Sequence, residues 1–148
     1  MTIDINGELD VGSATFNGAD GYAYNLNSTG DLVIQGTVSI VSTVVNDTNM
    51  LGIYAWNYSS SIPTLEIAVG GSLDITSSGS GSTARGLYSN GANFTNHGIF
   101  EVQANTAATG VSLYGAATFT NTGSFTVLGG SSVAPGVNAA VGLEAVRD

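Results

Sequence analysis

Asp74 and Glu101 occupy the same place in two copies of one short phrase, and that makes them the chain's best candidates for chemistry. The phrase is glycine, any residue, apolar, polar, apolar. It is written at Gly7–Val11, Gly36–Ile40, Gly71–Ile75, Gly98–Val102 and Gly123–Val127. Its polar position gives the column Asp10, Ser39, Asp74, Glu101, Thr126. If the copies are strands stacked in register, Asp74 and Glu101 stand about 5 Å apart at Cβ. Carboxylates at that separation suit a retaining glycosidase or a calcium ion. A solvated acidic face that keeps a stack soluble accounts for them more simply and is the favoured reading. The calcium-binding nonapeptide with its Gly-Gly-x-Gly-x-Asp core is absent.

A second group with binding chemistry is aromatic. Tyr24, Tyr54, Trp56, Tyr58, Tyr88 and Tyr114 fall on or near one strand of successive units, and Tyr54, Trp56 and Tyr58 alternate, so they share a face. Tyr54, Trp56, Tyr58 and Tyr88 form the candidate glycan or partner face, since an outward aromatic ladder stacks on sugar rings. The competing reading is that the tyrosines cover a sheet or fill core with their hydroxyls at its edge. His97 is the sole histidine and sits at a corner beside Gly98, matched by Thr122 in the next unit. It reads as a turn residue: a general base needs partners in reach, and no nucleophile-elbow motif occurs. Thr118, Thr120 and Thr122 alternate, but the neighbouring unit places Asn93, Thr95 and His97 there, which is not a flat threonine array. No catalytic residue, metal site or cofactor is assigned.

Composition excludes several classes. The chain has 148 residues, no lysine, a net charge of −9 and only 9% charged residues. Nucleic-acid binding needs a basic stripe and is excluded; an anionic membrane surface is disfavoured for the same reason. No cysteine is present, so thiolate metal sites and disulfides are impossible. No apolar run approaches a membrane span, and Met1–Ile5 enters a strand pattern at once rather than a secretory signal.

The elements that must position these residues follow from the repeat. A second phrase, out of phase with the first, is clear at Gly52-Ile53-Tyr54, Gly86-Leu87-Tyr88, Gly110–Tyr114 and Gly142-Leu143, with a looser copy at Gly21–Tyr24. Phrases recurring every 24 to 35 residues mean stacked coils. Within unit 86–109, Gly86-Leu87-Tyr88, Ala92–Thr95 and Ile99–Val102 read as three strands, with Asn90-Gly91 and His97-Gly98 at corners that call for positive φ. The fold class is therefore all-β: a parallel β-solenoid of about five coils with three short strands each. The coils are about 1–20, 21–51, 52–85, 86–109 and 110–141, in a single domain over 1–148, with 142–148 starting another. Alternation points Ile3, Ile5, Leu9, Val11, Val38, Ile40, Leu65, Ile67, Leu73, Ile75, Phe94, Phe100, Val102, Phe119, Phe125 and Val127 inward. Residues 43–50 and 58–63 are expected loops.

Residues 92–102 and 117–127 are identical at seven of eleven positions. This region, 86–142, with Ala-Thr-Phe-Thr-Asn-Thr-Gly-Ser-Phe-Thr-Val at its heart, resembles the repeats of bacterial autotransporter passengers and related surface adhesins. The resemblance implies a right-handed β-helix in an exported, extracellular or cell-surface, mostly non-enzymatic protein. The competing class is a carbohydrate-active β-helix that binds or degrades polysaccharide.

The two ends of the chain read as complementary. Thr2–Asn6 and Gly7–Val11 have second- and third-strand patterns, and Gly142–Val146 has that of a first strand. Joining 142–148 to 1–20 gives 7 + 20 = 27 residues, within the range of the other units. Open strand edges template further pairing, and a head-to-tail contact need not close. The expected assembly interface is Ile3, Ile5, Leu9, Val11, Leu143 and Val146, with copies of the chain or the rest of a longer solenoid as partner.

Overall fold

The computed structural model describes residues 2–3, 9–11, 14–18, 22–26, 32–46, 50–56, 64–130 and 140–146, with side chains from residue 32 onward except those of Trp56 and Val146. Every regular element among these is a strand. In chain order they are β1 (Thr2–Ile3), β2 (Leu9–Val11), β3 (Ala14–Gly18), β4 (Tyr22–Leu26), β5 (Leu32–Ile34), β6 (Thr37–Ser42), β7 (Leu51–Trp56) and β8 (Thr64–Ile67). They continue with β9 (Ser72–Ser77), β10 (Ala84–Asn90), β11 (Asn93–Asn96), β12 (Ile99–Ala104), β13 (Ala108–Tyr114), β14 (Thr118–Asn121), β15 (Ser124–Leu128) and β16 (Ala140–Val146).

Each strand pairs in parallel with the strand three places away, so three sheets form: β1-β4-β7-β10-β13-β16, β2-β5-β8-β11-β14 and β3-β6-β9-β12-β15. That is a parallel β-solenoid. A link of two or three residues is too short to return a strand parallel to its immediate successor, and here each short corner swings the chain into the next wall rather than back on itself as a hairpin. Each strand completes its ladder on the coils above and below.

The core fills the interior. Val38, Ile40, Leu65, Ile67, Leu73, Ile75, Phe94, Phe100 and Val102 are buried as alternation requires, joined by Leu32, Ile34, Ile53, Leu87 and Val111. Full burial of one such side chain contributes roughly 1.5–3 kcal/mol. Phenylalanines stack between coils, Phe94 on Phe119 and Phe100 on Phe125, each pair with centroids 5.1 Å apart. Within a coil they meet edge to face, Phe94 against Phe100 at 5.3 Å. Phe119, Phe125 and Val127 pack against the core but are only partly buried. Ile3, Leu9 and Val11 lie in strands whose side chains are not described, and Ile5 lies outside the described residues.

Two expectations need correction. Leu9–Val11 is not a copy of the third strand: it pairs with β5 in the second sheet, while Thr2–Ile3 pairs with β4 in the first. The third strand of that coil is β3, with Ala14 level with Val38 and Phe16 level with Ile40. The chain thus enters through a first strand, and the complementarity of its two ends does not hold. The corner glycines also differ in kind. Gly91 and Gly115, between first and second strands, have φ of 76° and 60°. Gly98 and Gly123, between second and third, do not take positive φ. They are required by close approach: a Cβ on Gly98 would strike the carbonyl oxygen of Gly71, and one on Gly123 that of Gly98. Of the expected loops, 57–63 and 47–49 lie outside the described residues, and Val45–Asn46 is a turn.

Candidate functional site

The acidic column is built by the third sheet. Ser39, Asp74, Glu101 and Thr126 stand in register on β6, β9, β12 and β15. Below Ser39 the position belongs to Thr15, not Asp10, which pairs with Val33 in the second sheet. Asp74 and Glu101 are therefore adjacent on neighbouring strands, both half-buried on the outer face. Partial burial pushes the Asp74 carboxyl above its ordinary value, opposed by a hydrogen bond from Ser72. The arrangement offers one protonatable carboxyl beside a second, flanked by hydroxyls. No group of three or more His, Cys, Asp or Glu able to hold a metal occurs among the described residues.

The aromatic face lies on the first sheet. Tyr54 and Tyr88 are in register, with ring centroids 5.2 Å apart and planes 20° from parallel. Tyr114 is level with Asn90, two places along from the Tyr88 partner Ser112, and still reaches Tyr88 at 4.8 Å and 31°. These spacings are those of neighbouring strands, so the rings stack upon one another along the rod. The middle ring, Tyr88, has an aromatic neighbour on each side. Where the described rings stack on one another, the faces between them are closed to a sugar. Trp56 is level with Asn90 by its backbone, and Tyr58 lies outside the described residues. Tyr22 and Tyr24 are level with Leu51 and Ile53.

His97 stands at the corner above β11, its Nδ1 2.6 Å from the Thr122 hydroxyl oxygen one coil on. That is a corner-to-corner tie, in keeping with a turn residue.

At the C-terminal end, Leu143 continues the inward column Ile53, Leu87, Val111 and is 51% exposed. Val146 is level with Tyr114 by its backbone, and the Ser112 hydroxyl donates to the Glu144 carboxylate at 3.0 Å.

One constellation escaped the reading of the sequence. Asn96, fully buried, donates through Nδ2 to Oδ1 of Asn121 at 2.7 Å and to the Ser124 carbonyl at 2.8 Å, and its Oδ1 accepts from the Gly98 N–H at 3.1 Å. It is an asparagine ladder joining two corners. The signal was present in the matching Thr-Asn-x-Gly of the duplicated segments.

No protein-family model, curated protein or solved structure matches this chain.

Proposed function

We propose that the chain is a non-enzymatic structural or adhesive solenoid of a bacterial cell surface or extracellular fibre, able to stack head-to-tail through its end coils. The observation that supports this reading is the continuity of the columns. Residues of like kind stand in register through all three walls, and among the described residues the columns finish on half-buried Phe119 and Phe125 and on exposed Leu143. Apolar column ends of this kind call for a further coil. Because β1, β2 and β3 lie one in each of the three sheets, the contact joins the β1–β3 edge of one copy to the end of another, rather than completing a shared coil. Concentration-dependent rods in light scattering and negative-stain images are expected, and Leu143→Glu should disperse them without altering the β-sheet circular dichroism. A chain that stays monomeric at high concentration overturns the stacking.

A second reading rests on Asp74. A half-buried carboxyl held above its ordinary value beside a second in register is the pairing a polysaccharide-cleaving site uses. Turnover of a polysaccharide that disappears in Asp74→Asn would establish it. Glycan binding without turnover, weakened in Trp56→Ala with the fold intact, would assign a sugar-binding face instead.

A further inference from the structure

Residues 92–102 and 117–127 lay nearly the same second and third strands down twice, one coil apart. Phe94, Asn96, Gly98, Phe100 and Val102 are matched by Phe119, Asn121, Gly123, Phe125 and Val127, and each pair is in register or at matching corners. The surface that β11 and β12 present upward is therefore known to accept a coil of this very kind. β14 and β15, which end the second and third sheets among the described residues, present the same surface again.

Two differences between the levels, and one close approach that recurs at both, record what a further coil supplies. Phe94 and Phe100, each with a phenylalanine stacked on it, are 1% and 0% exposed, whereas Phe119 and Phe125 are only partly buried. Asn96 sends its Nδ2 upward to an asparagine oxygen and a backbone carbonyl, whereas the Asn121 Nδ2 folds back to the Gly123 carbonyl of its own corner at 3.2 Å. Gly123 rests so closely on Gly98 that a Cβ would strike its carbonyl oxygen, and the same spacing imposes a glycine on whatever lies above Gly123.

We propose that the β14–β15 edge is a strand-addition site selective for one more coil of its own type, a segment of another chain reading Phe-x-Asn-x-Gly-x-Phe-x-Val. Backbone pairing along the edge provides affinity. The two phenylalanines, the asparagine and the glycine provide selectivity, because an apolar residue in place of the asparagine leaves the Asn121 amide without its upward acceptor. This goes beyond the stacking reading above: the β2–β3 segment Leu9–Gly18 does not carry this motif, so the coil received here is a different segment from the head-to-tail edge.

The test uses the 148-residue chain and a synthetic peptide of residues 117–127. Hydrogen exchange at Thr118–Asn121 and Ser124–Leu128 should slow on adding the peptide, by about tenfold at ten times its dissociation constant. The same peptide carrying Asn121→Leu, or Phe119→Ser with Phe125→Ser, should lose the effect. No slowing with the native peptide, or equal slowing with the Asn121→Leu peptide, overturns the proposal. Light scattering of the chain alone reports on head-to-tail stacking separately. Protection by the peptide in a chain that stays monomeric upholds this site and removes the stacking; rods without protection do the reverse.

Discussion

Phe100 and Phe125 occupy the same position of the same motif, yet Phe100 is wholly buried and Phe125 only partly. The residues below each are alike, Leu73 under Phe100 and Phe100 under Phe125. What differs is the level above. In this fold the core is a property of the stack, because each ring has one face supplied by the coil beneath and one by the coil above. Among the described residues, coil 86–109 has both neighbours and coil 110–128 has one in its second and third sheets, so closely similar sequence carries unequal stability. Stacked-repeat energetics separate a repeat's own term from its interface terms, and these two coils isolate the interface term.

The largest test of this contrast is truncation of the ring. Phe100→Ala should cost about 3–5 kcal/mol, the range for a buried aromatic, and Phe125→Ala about half that by the same rule, both measured by urea unfolding. Equal losses would break the comparison. The asparagine ladder gives the next contrast. Asn96→Ala strands the Gly98 N–H and the Asn121 oxygen and should cost roughly 1–3 kcal/mol. Asn121→Ala removes one acceptor of the Asn96 amide but leaves its bonds to Ser124 and Gly98 in place, so it should cost less than Asn96→Ala.

Asp74 supplies a pH-dependent version. Its folded pKa lies above the ordinary value of 3.8, mainly through burial. The folded state therefore holds the proton more tightly than the unfolded one. The stability from that proton is fully present below pH 3.8 and is lost as the pH rises through the folded value. Asp74→Asn should flatten this part of the stability-versus-pH curve, and an unchanged slope would assign it to other carboxylates. The smallest effect belongs to the outer column: Thr126→Lys should shift stability by no more than about 0.5 kcal/mol, as thermal melts would record.

Much of the architecture was legible because a strand with one buried face repeats with period two and each corner carries a small residue. Val38, Ile40, Leu73, Ile75, Phe100 and Val102 could be placed inward from alternation alone. The same simplicity misled at residues 7–11. Second and third strands both read as alternating apolar and polar, so Gly7-Glu8-Leu9-Asp10-Val11 matches the third-strand phrase while lying in the second sheet. The true third strand, Ala14–Gly18, follows Gly12-Ser13, so Gly12-Ser13-Ala14-Thr15-Phe16 fits the same phrase, but Ala14 is small and Phe16 is its one large apolar residue, which makes the copy easy to overlook. Alternation also gives no account of close approach. The role of Gly98 and Gly123 depends on a backbone one coil away, which local sequence does not encode. For the candidate sites, the Asp74–Glu101 register could be read from the repeat. The mutual stacking of Tyr54, Tyr88 and Tyr114 could not, because Tyr114 reaches Tyr88 from a position two residues out of register.

The parallel ladders have a mechanical consequence. Their hydrogen bonds run between coils, along the rod, so a pull along the axis loads the bonds of the terminal coil first and yields them a few at a time. Each coil that peels away lengthens the chain, and one of 24 residues such as 86–109 releases about 80 Å at roughly 3.4 Å per residue. Under tension the rod should extend in steps of unequal length, because its coils differ in length, and dissipate work at each one. A tether built this way absorbs a sudden pull by lengthening and restores itself when the coil folds back onto the template beneath it.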